Sequence, residues 1–319
     1  MADYPKSKQW QKGRFHNPSE WPQRLGLSAV LRWQLRSRPP QDPGFVPPQV
    51  ANDGQRLRDN ATEPSVTWVG HATLLLQAEG MSVLTDPMFS PGMFAVKRLA
   101  PPGLQLAQLP PIDAVVVSHN HRDHLDEPSV RALGPQVTFV VPLGLGGWFR
   151  KRGLAKVIEL DWWQDCQLRA RASYLRVTLV PAQHWSMRVG VDTNQSLWGG
   201  YVIESPTTRF YFAGDTGYPA AFKDIGRRFP GIDYALLPIG AYEPRWFMKA
   251  QHIGPEEAAI AFGELEARAL VPMHWGTFRL SDEPLAEPPL LLGRALGGQG
   301  QLDQLAQLAI GETRWGRPR

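Results

Sequence analysis

Three histidines and an aspartate stand close together in the segment SHNHRDHLD, directly after the apolar run AVVV. They are His119, His121, Asp123 and His124. Where a strand ends in a turn, the imidazoles at 119 and 121 can point to one side while the next two side chains point to a neighbouring place. One short loop can therefore serve two metal ions. The alternative is a solvated polar loop at the start of a helix, with Asp126 as its N-cap.

Three further potential metal ligands also follow apolar runs that are typical of strands. His184 follows LRVTLVP, Asp215 follows RFYFAG and His274 follows ALVPM. Taken alone, each would more often be an ordinary hydrogen-bonded histidine or a turn aspartate. Functional sites gather in strand-end loops, so the repeated position predicts that these side chains join the first cluster.

The seven side chains divide into two sets of the size that a catalytic zinc ion uses, about three protein ligands each. We assign one metal ion to His119, His121 and His184. We assign the other ion to Asp123, His124 and His274. Asp215 would lie between the two ions and bridge them. Nitrogen and oxygen ligands suit Zn²⁺ and leave Mn²⁺ and Fe open. The only cysteine is Cys166, which excludes a cluster of thiolates. Two ions of this kind promote hydrolysis, and Asp123 then also counts as a catalytic residue.

The strands and helices that must position these residues are indicated by the sequence after Ser65, where apolar runs alternate with turns and helical segments. Apolar runs of strand length are VTWV, TLLLQA, SVLT, AVVVS, TFVVP, KVIEL, LRVTLVP, YVIES, RFYFAG, YALLPIG and ALVPMH. Helical periodicity is clearest over residues 128–133, 145–151, 219–229 and 255–267. Strands with helices interspersed favour an α/β architecture of sheets covered by helices, and periodicity leaves the strand order open.

The first 64 residues differ in composition from the rest. They are rich in proline and predict an extended arm with one short helix, followed by a hydrolase domain over residues 65–319. Residues 1–60 carry ten Lys and Arg against five Asp and Glu, while the whole chain has a net charge of only +4. The remainder has no basic excess, so no nucleic-acid partner is expected.

The composition of the arm also predicts where in the cell the protein is located. A basic arm that contains Trp10, Trp21 and Trp33 suits an anionic lipid interface, and docking on the domain or on a second subunit of a homodimer is the alternative. The chain has no apolar run of the roughly 20 residues that a membrane span needs, nor a secretory signal. We expect a cytoplasmic protein with peripheral membrane contact.

Several segments together resemble one known family. They are TWVGHATLLL, LTDPMFS, PPIDAVVVSHNHRDHLD, LWGGY, LPIGAYEPRWFM, QHIGPEEA and HWGTF. The chain resembles the metallo-β-lactamase superfamily, in the branch of N-acylphosphatidylethanolamine-hydrolysing phospholipase D. The resemblance implies a four-layer αββα sandwich with two zinc ions at one edge. It also implies a phosphodiesterase in which hydroxide attacks the phosphorus of a phospholipid, giving N-acylethanolamine and phosphatidic acid.

The loop GAYEPRWFMKAQH offers candidate substrate contacts, with Tyr242, Arg245 and Trp246 as pocket walls. Arg245 pairs either with phosphate or with Glu243. By resemblance, Gln251 and His252 would approach the phosphodiester, and His252 would orient it or protonate the leaving alkoxide. The alternative for His252 is a helix cap.

Three other residues have roles beside the ligands. Arg122 stands where the lipid-hydrolysing relatives carry an aromatic residue, and its guanidinium could clamp phosphate or face solvent. His71 and Asp86 are expected to orient the metal ligands, with buried turn residues as the alternative.

The other functions left open are hydrolysis of a lactone, a cyclic phosphodiester or nucleic acid, and a metal-holding scaffold or sensor without turnover.

Overall fold

The computed structural model of the protein describes residues 4, 6–36, 44–170, 173–219 and 221–318. Its strands are β1 (Trp10–Gln11), β2 (Arg14–Phe15), β3 (Ser65–Gly70), β4 (Thr73–Ala78), β5 (Met81–Thr85), β6 (Gly92–Met93), β7 (Val96–Lys97), β8 (Ala114–Val116), β9 (Thr138–Pro142), β10 (Val157–Leu160), β11 (Asp165–Ala170), β12 (Ser173–Val180), β13 (Gly200–Glu204), β14 (Arg209–Phe212), β15 (Tyr234–Pro238), β16 (Ala269–Met273) and β17 (Thr313–Trp315). Its helices are α1 (Leu27–Leu35), α2 (Gln55–Asp59), α3 (Glu127–Leu133), α4 (Gly146–Arg150), α5 (Ala221–Arg228), α6 (Arg245–Met248), α7 (Pro255–Leu265) and α8 (Glu287–Gly298).

Two mixed sheets carry most of these strands. The order is β10-β9-β8-β5-β4-β3-β17 in the first sheet and β11-β12-β13-β14-β15-β16 in the second. In the first sheet β5, β8, β9 and β10 are parallel. In the second, β14, β15 and β16 are parallel, and β12 has the same direction because two antiparallel pairings separate it from β14. The carboxyl ends of β12, β14 and β16 therefore meet at one edge.

Alternating side chains of the first sheet belong to two different cores. On β4, Leu74 and Leu76 join the core between the sheets, whereas Leu75 joins the outer core. Strand β8 and the residue after it follow the same rule, with Val116 inside and Val115 and Val117 outside. Side chains alternate across a strand, so a sheet that is apolar on both faces must be covered on both.

Helices supply the two outer layers. Residues of α3 and α4 pack in the outer core of the first sheet, among them Val130 and Phe149. Helices α5, α7 and α8 bury Phe222, Phe262 and Leu292 with the second sheet. The result is a four-layer αββα sandwich, which confirms the predicted fold class. The four predicted helices correspond to α3, α4, α5 and α7, each within a few residues of the expected bounds.

The arm is less extended than its composition predicts. Besides the one expected short helix, α1, it contains the hairpin of β1 and β2 and the short helix α2. Phe15 is fully buried in the core between the sheets, and its backbone N–H donates to the carbonyl of Asn194 at 2.8 Å. The amide of Asn17 donates to the carbonyl of His184 at 2.9 Å. The arm packs on the domain through these contacts, and the division at residue 64 stays a prediction.

None of the helices within the described ranges has the length and apolar character that a membrane span requires.

The burial of Phe15 predicts that the arm contributes to the stability of the fold. Removal of a fully buried phenylalanine side chain leaves a cavity, so Phe15→Ala should lower the free energy of unfolding by about 3 kcal/mol. The control is Gln11→Ala, an exposed position of the same hairpin, which should change it by less than about 0.5 kcal/mol. Urea unfolding followed by circular dichroism measures both. Equal stability of Phe15→Ala and the unchanged chain would show that the hairpin does not contribute to the core.

Candidate metal centre

The seven predicted metal ligands converge at the edge where strand ends from both sheets meet. The loop after β8 carries His119, His121, Asp123 and His124 and leads into α3, whose N-cap Asp126 accepts from the backbone N–H of Ser129. Strands β12, β14 and β16 are each followed by one of the other three candidate ligands, which are His184, Asp215 and His274. The polar loop therefore both begins a helix, as the alternative supposed, and faces the other candidate ligands.

These side chains form two adjacent groups, and within each group one potential ligand atom per residue lies within 4.8 Å of the others. The first group consists of His119, His121, His184 and Asp215, and the second of His71, Asp123, His124 and His274. This grouping follows the predicted division into two sets, with His71 as an additional member of the second.

Asp215 lies between the two groups. Its Oδ2 is 3.1 Å from Nε2 of His124 and 3.8 Å from Nε2 of His184. Its Oδ1 is 3.1 Å from Nε2 of His274. One carboxylate thus lies beside imidazoles of both groups, and its role as a bridging ligand stays a prediction.

The electrostatics of the cluster favour positive charge at its centre. Although burial acts in the opposite direction, His124 and His274 hold the pKa of Asp215 well below its usual value. Burial likewise opposes charge on His274, but Asp215 and Asp123 raise the pKa of His274 to about 9. The buried carboxylate of Asp215 and the largely buried one of Asp123 require cations beside them, whether these are protons or metal ions.

The other imidazoles are suited to be neutral ligands. Burial lowers the pKa of His121 to about 4 and that of His184 to about 3. Metal ligation requires the neutral imidazole. At neutral pH each of these rings carries a proton on one nitrogen only, so its other nitrogen can bind a metal ion. The Nε2 of His121 is buried and has no hydrogen-bond partner in the described part of the chain. This donor set of imidazole nitrogens and carboxylate oxygens fits divalent transition metal ions.

A layer of outer contacts fixes the orientation of the candidate ligands. Asp86 accepts from Nδ1 of His124 at 2.7 Å and from the hydroxyl of Ser118 at 2.5 Å. The same hydroxyl is 2.9 Å from Nδ1 of His119. The Nε2 of His71 lies 3.0 Å from a carboxylate oxygen of Asp123. His71 and Asp86 therefore make the contacts that the sequence predicts, and their effect on metal binding stays a prediction.

Backbone conformation at this edge is unusual for residues other than glycine. His71, Asp86 and His274 have φ values of 55°, 33° and 63°, in the left-handed region. Hydrogen bonds hold the His71 segment, since its carbonyl accepts from the backbone of His274 at 3.1 Å and from the indole of Trp68 at 2.9 Å. Strained backbone of this kind persists where the surrounding structure determines it and is concentrated at functional sites.

His252 and Gln251 lie beside the cluster. Nδ1 of His252 is 3.9 Å from Asp215, and burial lowers the pKa of this imidazole to about 3. The backbone carbonyl of Gln251 is 2.9 Å from Nδ1 of His184, so it orients that candidate ligand. Both residues line the cavity above the metal centre, where the sequence predicts contacts with substrate.

The other four predicted substrate contacts do not line this cavity. The hydroxyl of Tyr242 donates to Glu287 at 2.5 Å. The guanidinium of Arg245 pairs with Glu257 at 2.7 Å, and not with Glu243, because α7 lies within its reach. These contacts occupy the polar groups of both side chains.

Arg122 and Trp246 also point elsewhere. The guanidinium of Arg122 lies over the ring of Phe94 at 4.5 Å and donates to the carbonyl of Arg188 at 3.4 Å. Trp246 is 41% exposed, with the guanidinium of Arg32 at 4.9 Å from its ring. Neither residue faces the metal centre in this structure.

Sequence reasoning missed several residues of the site. Ser118 orients two residues of the centre, and its place directly before the histidine motif was the only available signal. Arg24, Val30 and Trp33 belong to the arm, yet all three line the cavity. The sequence marks Trp33 only as a tryptophan of the basic arm. No local pattern places any of the three at the site, because they reach it through packing of α1 and the segment before it.

The fold and the cluster together define a metal-dependent hydrolase. Residues 82–275 match a family model that is described as "Beta-lactamase superfamily domain". An N-acyl-phosphatidylethanolamine-hydrolyzing phospholipase D of Caenorhabditis elegans is 36% identical in an alignment of 287 residues that covers 83% of this chain and 81% of the relative. An uncharacterised protein of Mycobacterium tuberculosis is 41% identical in an alignment of 271 residues that covers 81% of this chain and 71% of that protein. The chain belongs to the metallo-β-lactamase superfamily, as its motifs predict.

A solved structure supports the same conclusion about the fold. Igni18, a metallo hydrolase from the archaeon Ignicoccus hospitalis, has a TM-score of 0.62 and 22% sequence identity, with 80% of this chain and 98% of that chain covered. At this identity the likeness concerns the fold.

The contact of Asp86 with His124 generates a prediction about metal affinity. In Asp86→Asn, the buried amide replaces a carboxylate that accepts from His124 and Ser118, so the metal affinity should fall about 10- to 100-fold with the fold retained. Competition with a chelator, followed by metal analysis, measures the affinity.

The matched control is Asp113→Asn, at the other end of β8, where the carboxylate accepts from the backbone N–H of Ser82 at 2.8 Å. This change should leave the metal affinity unaltered. Equal metal retention by Asp86→Asn and Asp113→Asn would remove Asp86 from the support of the centre.

Proposed function

We propose that the protein is a dinuclear zinc phosphodiesterase of phospholipase D type. Its substrates would be lipids like N-acylphosphatidylethanolamine, cleaved to N-acylethanolamine and phosphatidic acid. The observation that carries the proposal is a cavity of about 580 Å³ that has the candidate metal centre at its base and mainly apolar side chains in its walls. The similarity to the phospholipase D of Caenorhabditis elegans over most of both chains supports the same substrate class.

The cavity walls suit an amphiphilic substrate. His121, Asp123, Asp215 and His274 reach it from the metal centre. Its apolar wall is formed by side chains of the arm, of α6 and of two loops, namely Val30, Trp33, Trp185, Met187, Phe247, Met248 and Leu280. Ligand cavities of this size combine apolar walls with a few polar groups that fix the orientation. An acyl chain against this wall would place the head group near the metal centre.

Arg24 adds a cation to the apolar wall. Its guanidinium lies 3.9 Å from the ring centre of Trp185, and burial lowers its pKa. A guanidinium in this position suits the phosphate of a phosphodiester. The observation favours a phosphodiester over an uncharged lactone.

Each group of candidate ligands would hold one metal ion, with Asp215 in contact with both groups. Zinc bound there would supply Lewis acidity, activate water for attack on phosphorus and neutralise the phosphoryl oxygens. Zinc is proposed because the ligands are imidazole and carboxylate, a set that Mn and Fe also accept. Metal analysis of the purified protein identifies the ion.

The chain's own residues have separate tasks in this proposal. Asp86, Ser118 and the carbonyl of Gln251 hold the imidazoles in place. His252 lies at the cavity wall with a depressed pKa, so its ring is neutral at pH 7 and can accept or relay a proton near the leaving group. The indole of Trp185, in edge contact with His121 at 4.4 Å, helps to exclude water.

The function is tested by products. Purified protein with mixed micelles of N-acylphosphatidylethanolamine should release N-acylethanolamine and phosphatidic acid, detected by mass spectrometry. His252→Ala should lower kcat about 100-fold or more while the metal content is retained. The control His16→Ala, an exposed arm histidine, should have no effect.

Two results would contradict parts of the proposal. Cleavage of soluble diesters without cleavage of the lipid would assign the centre to another anionic substrate, such as a cyclic phosphodiester. Unchanged kcat in His252→Ala would remove this residue from the chemistry.

We also propose that α1 brings the cavity to a membrane surface. Leu31 and Leu35 of this helix are 56% and 85% exposed, and Trp246 lies nearby because α1 contacts α6. The same helix contributes Val30 and Trp33 to the cavity wall. Exposed leucines beside basic residues suit peripheral contact with anionic lipid. A cytoplasmic protein that binds the membrane in this way is the localisation we propose.

Vesicles separate this contact from catalysis. The double change Leu31→Ser with Leu35→Ser should weaken binding to anionic vesicles about tenfold, because two apolar side chains no longer enter the interface. Turnover of a short-chain soluble substrate should not change. The control Leu290→Ser removes a leucine of α8 that is 60% exposed and should leave both properties unaltered. Equal vesicle binding by all three proteins would show that α1 does not meet the membrane.

A further inference from the structure

A second cavity of about 500 Å³ lies beside α4 and the arm hairpin. It shares no lining residue with the cavity of the metal centre, although Asn120, which lines it, is the neighbour in sequence of His121, which lines the other. Its volume exceeds that of an inorganic ion and suits a small organic molecule.

The lining of this cavity carries a surplus of positive charge. Lys151, Arg152 and Arg188 line it together with one carboxylate, Asp192, which accepts from the backbone N–H groups of Arg188 and Val189 at 2.9 Å. Arg152 is paired with Glu127 at 2.9 Å. The other two cations have no ion-pair partner among the described residues.

Arg188 is the most confined of these cations. Its guanidinium donates to the carbonyls of Leu125 at 2.7 Å and Asn120 at 3.4 Å, and it forms no ion pair with a carboxylate of the described residues. Burial and the neighbouring charges of Arg122 and Arg152 lower the pKa of Arg188 to about 10. An anion in the cavity would offset both the desolvation and the like-charge repulsion.

Two buried polar side chains line the cavity without a partner. Asn120 is 5% exposed and Ser196 is 3% exposed. Neither the side-chain oxygen of Asn120 nor the hydroxyl of Ser196 has a hydrogen bond to any described residue. Buried polar groups are nearly always hydrogen-bonded, so a ligand with polar atoms is the expected partner. Both residues line the same cavity as the cations.

The remaining wall is aromatic. Trp148 carries the guanidinium of Arg152 on its ring at 3.8 Å, and Tyr4 and Trp10 close the cavity from the arm with ring centres 5.2 Å apart. Apolar rings next to cations and unpartnered polar groups suit a ligand that has an anionic end and a flat or apolar body.

We infer that this cavity binds a small organic anion, with its carboxylate or phosphate group at Lys151, Arg188 and Ser196 and its apolar body against Trp10 and Trp148. The inference does not depend on the proposed lipid substrate, because the two cavities have separate walls.

Calorimetric titration of the full chain, as purified, tests the inference with three probes of the same ring. They are 2-naphthoate, naphthalene-2-phosphonate and the neutral 2-naphthamide. At least one anion should bind, and the amide should bind about tenfold more weakly or not at all, because it makes no charge-assisted hydrogen bond. The tighter of the two anions identifies the natural ligand as a carboxylate or a phosphate compound.

Two variants locate the binding. Gly147 lines the cavity, and a side chain added there meets no atom within 4 Å, so Gly147→Leu should fill the space and abolish binding. Its control is Gly263→Leu on α7, where an added side chain also meets nothing within 4 Å. Lys151→Gln, at an exposed position, should weaken binding about tenfold.

The outcomes divide clearly. Loss of binding in Gly147→Leu, weakening in Lys151→Gln and retention in Gly263→Leu support the site. Full affinity in both cavity variants would place the probes elsewhere, for example at the metal centre, and would overturn the inference. The absence of anion binding, or equal binding of the amide, would overturn it too. Thermal melting of each variant identifies any change that unfolds the protein. If Gly147→Leu unfolds it, the affinity of Lys151→Gln for the anions decides whether the cavity is the binding site.

Discussion

Asp215 is a buried carboxylate and Asp123 a largely buried one, with 13% of its side chain exposed. Imidazole rings surround both, and the surrounding structure is organised to neutralise them. Taking each carboxylate out of water costs several kcal/mol unless a cation lies beside it. Strands from both sheets end at this edge, and their loops supply the imidazoles and the carboxylates together. The left-handed backbone at His71, Asp86 and His274 belongs to the same arrangement, since these turns aim side chains at the centre. The fold therefore provides a fixed frame for concentrated charge.

Much of the frame could be predicted from the sequence because its central strands are nearly continuous apolar runs. A strand such as TLLLQA is buried on both faces and stands out against polar loops. Strands β11 and β17 escaped prediction for separate reasons, since β11 is the polar segment DCQLRA and β17 has only three residues. Helix α8 escaped because its prolines and glycines obscure a helical pattern. The convergence of the candidate metal ligands was predictable because each candidate follows a strand.

The walls of the site were harder to predict, since sequence proximity to a motif differs from proximity to substrate. Tyr242 and Arg245 stand in a motif-rich loop, but Glu287 and Glu257 occupy their polar groups. Arg24, by contrast, is far from every motif and lies on the ring of Trp185 inside the cavity. Such contacts depend on how the arm packs, which neither periodicity nor spacing encodes. Ligand spacing is local information, whereas a cavity wall is a product of tertiary structure.

The arm connects the two cavities. Its first residues, Tyr4 and Trp10, close the second cavity, and its later residues, Val30 and Trp33, form a wall of the first. Between them, Asn17 hydrogen-bonds the carbonyl of the candidate ligand His184. A shift of the arm would therefore change both cavities and the backbone of one ligand at once. Composition sets this segment apart as proline-rich and basic, yet its contacts make it a structural part of the site.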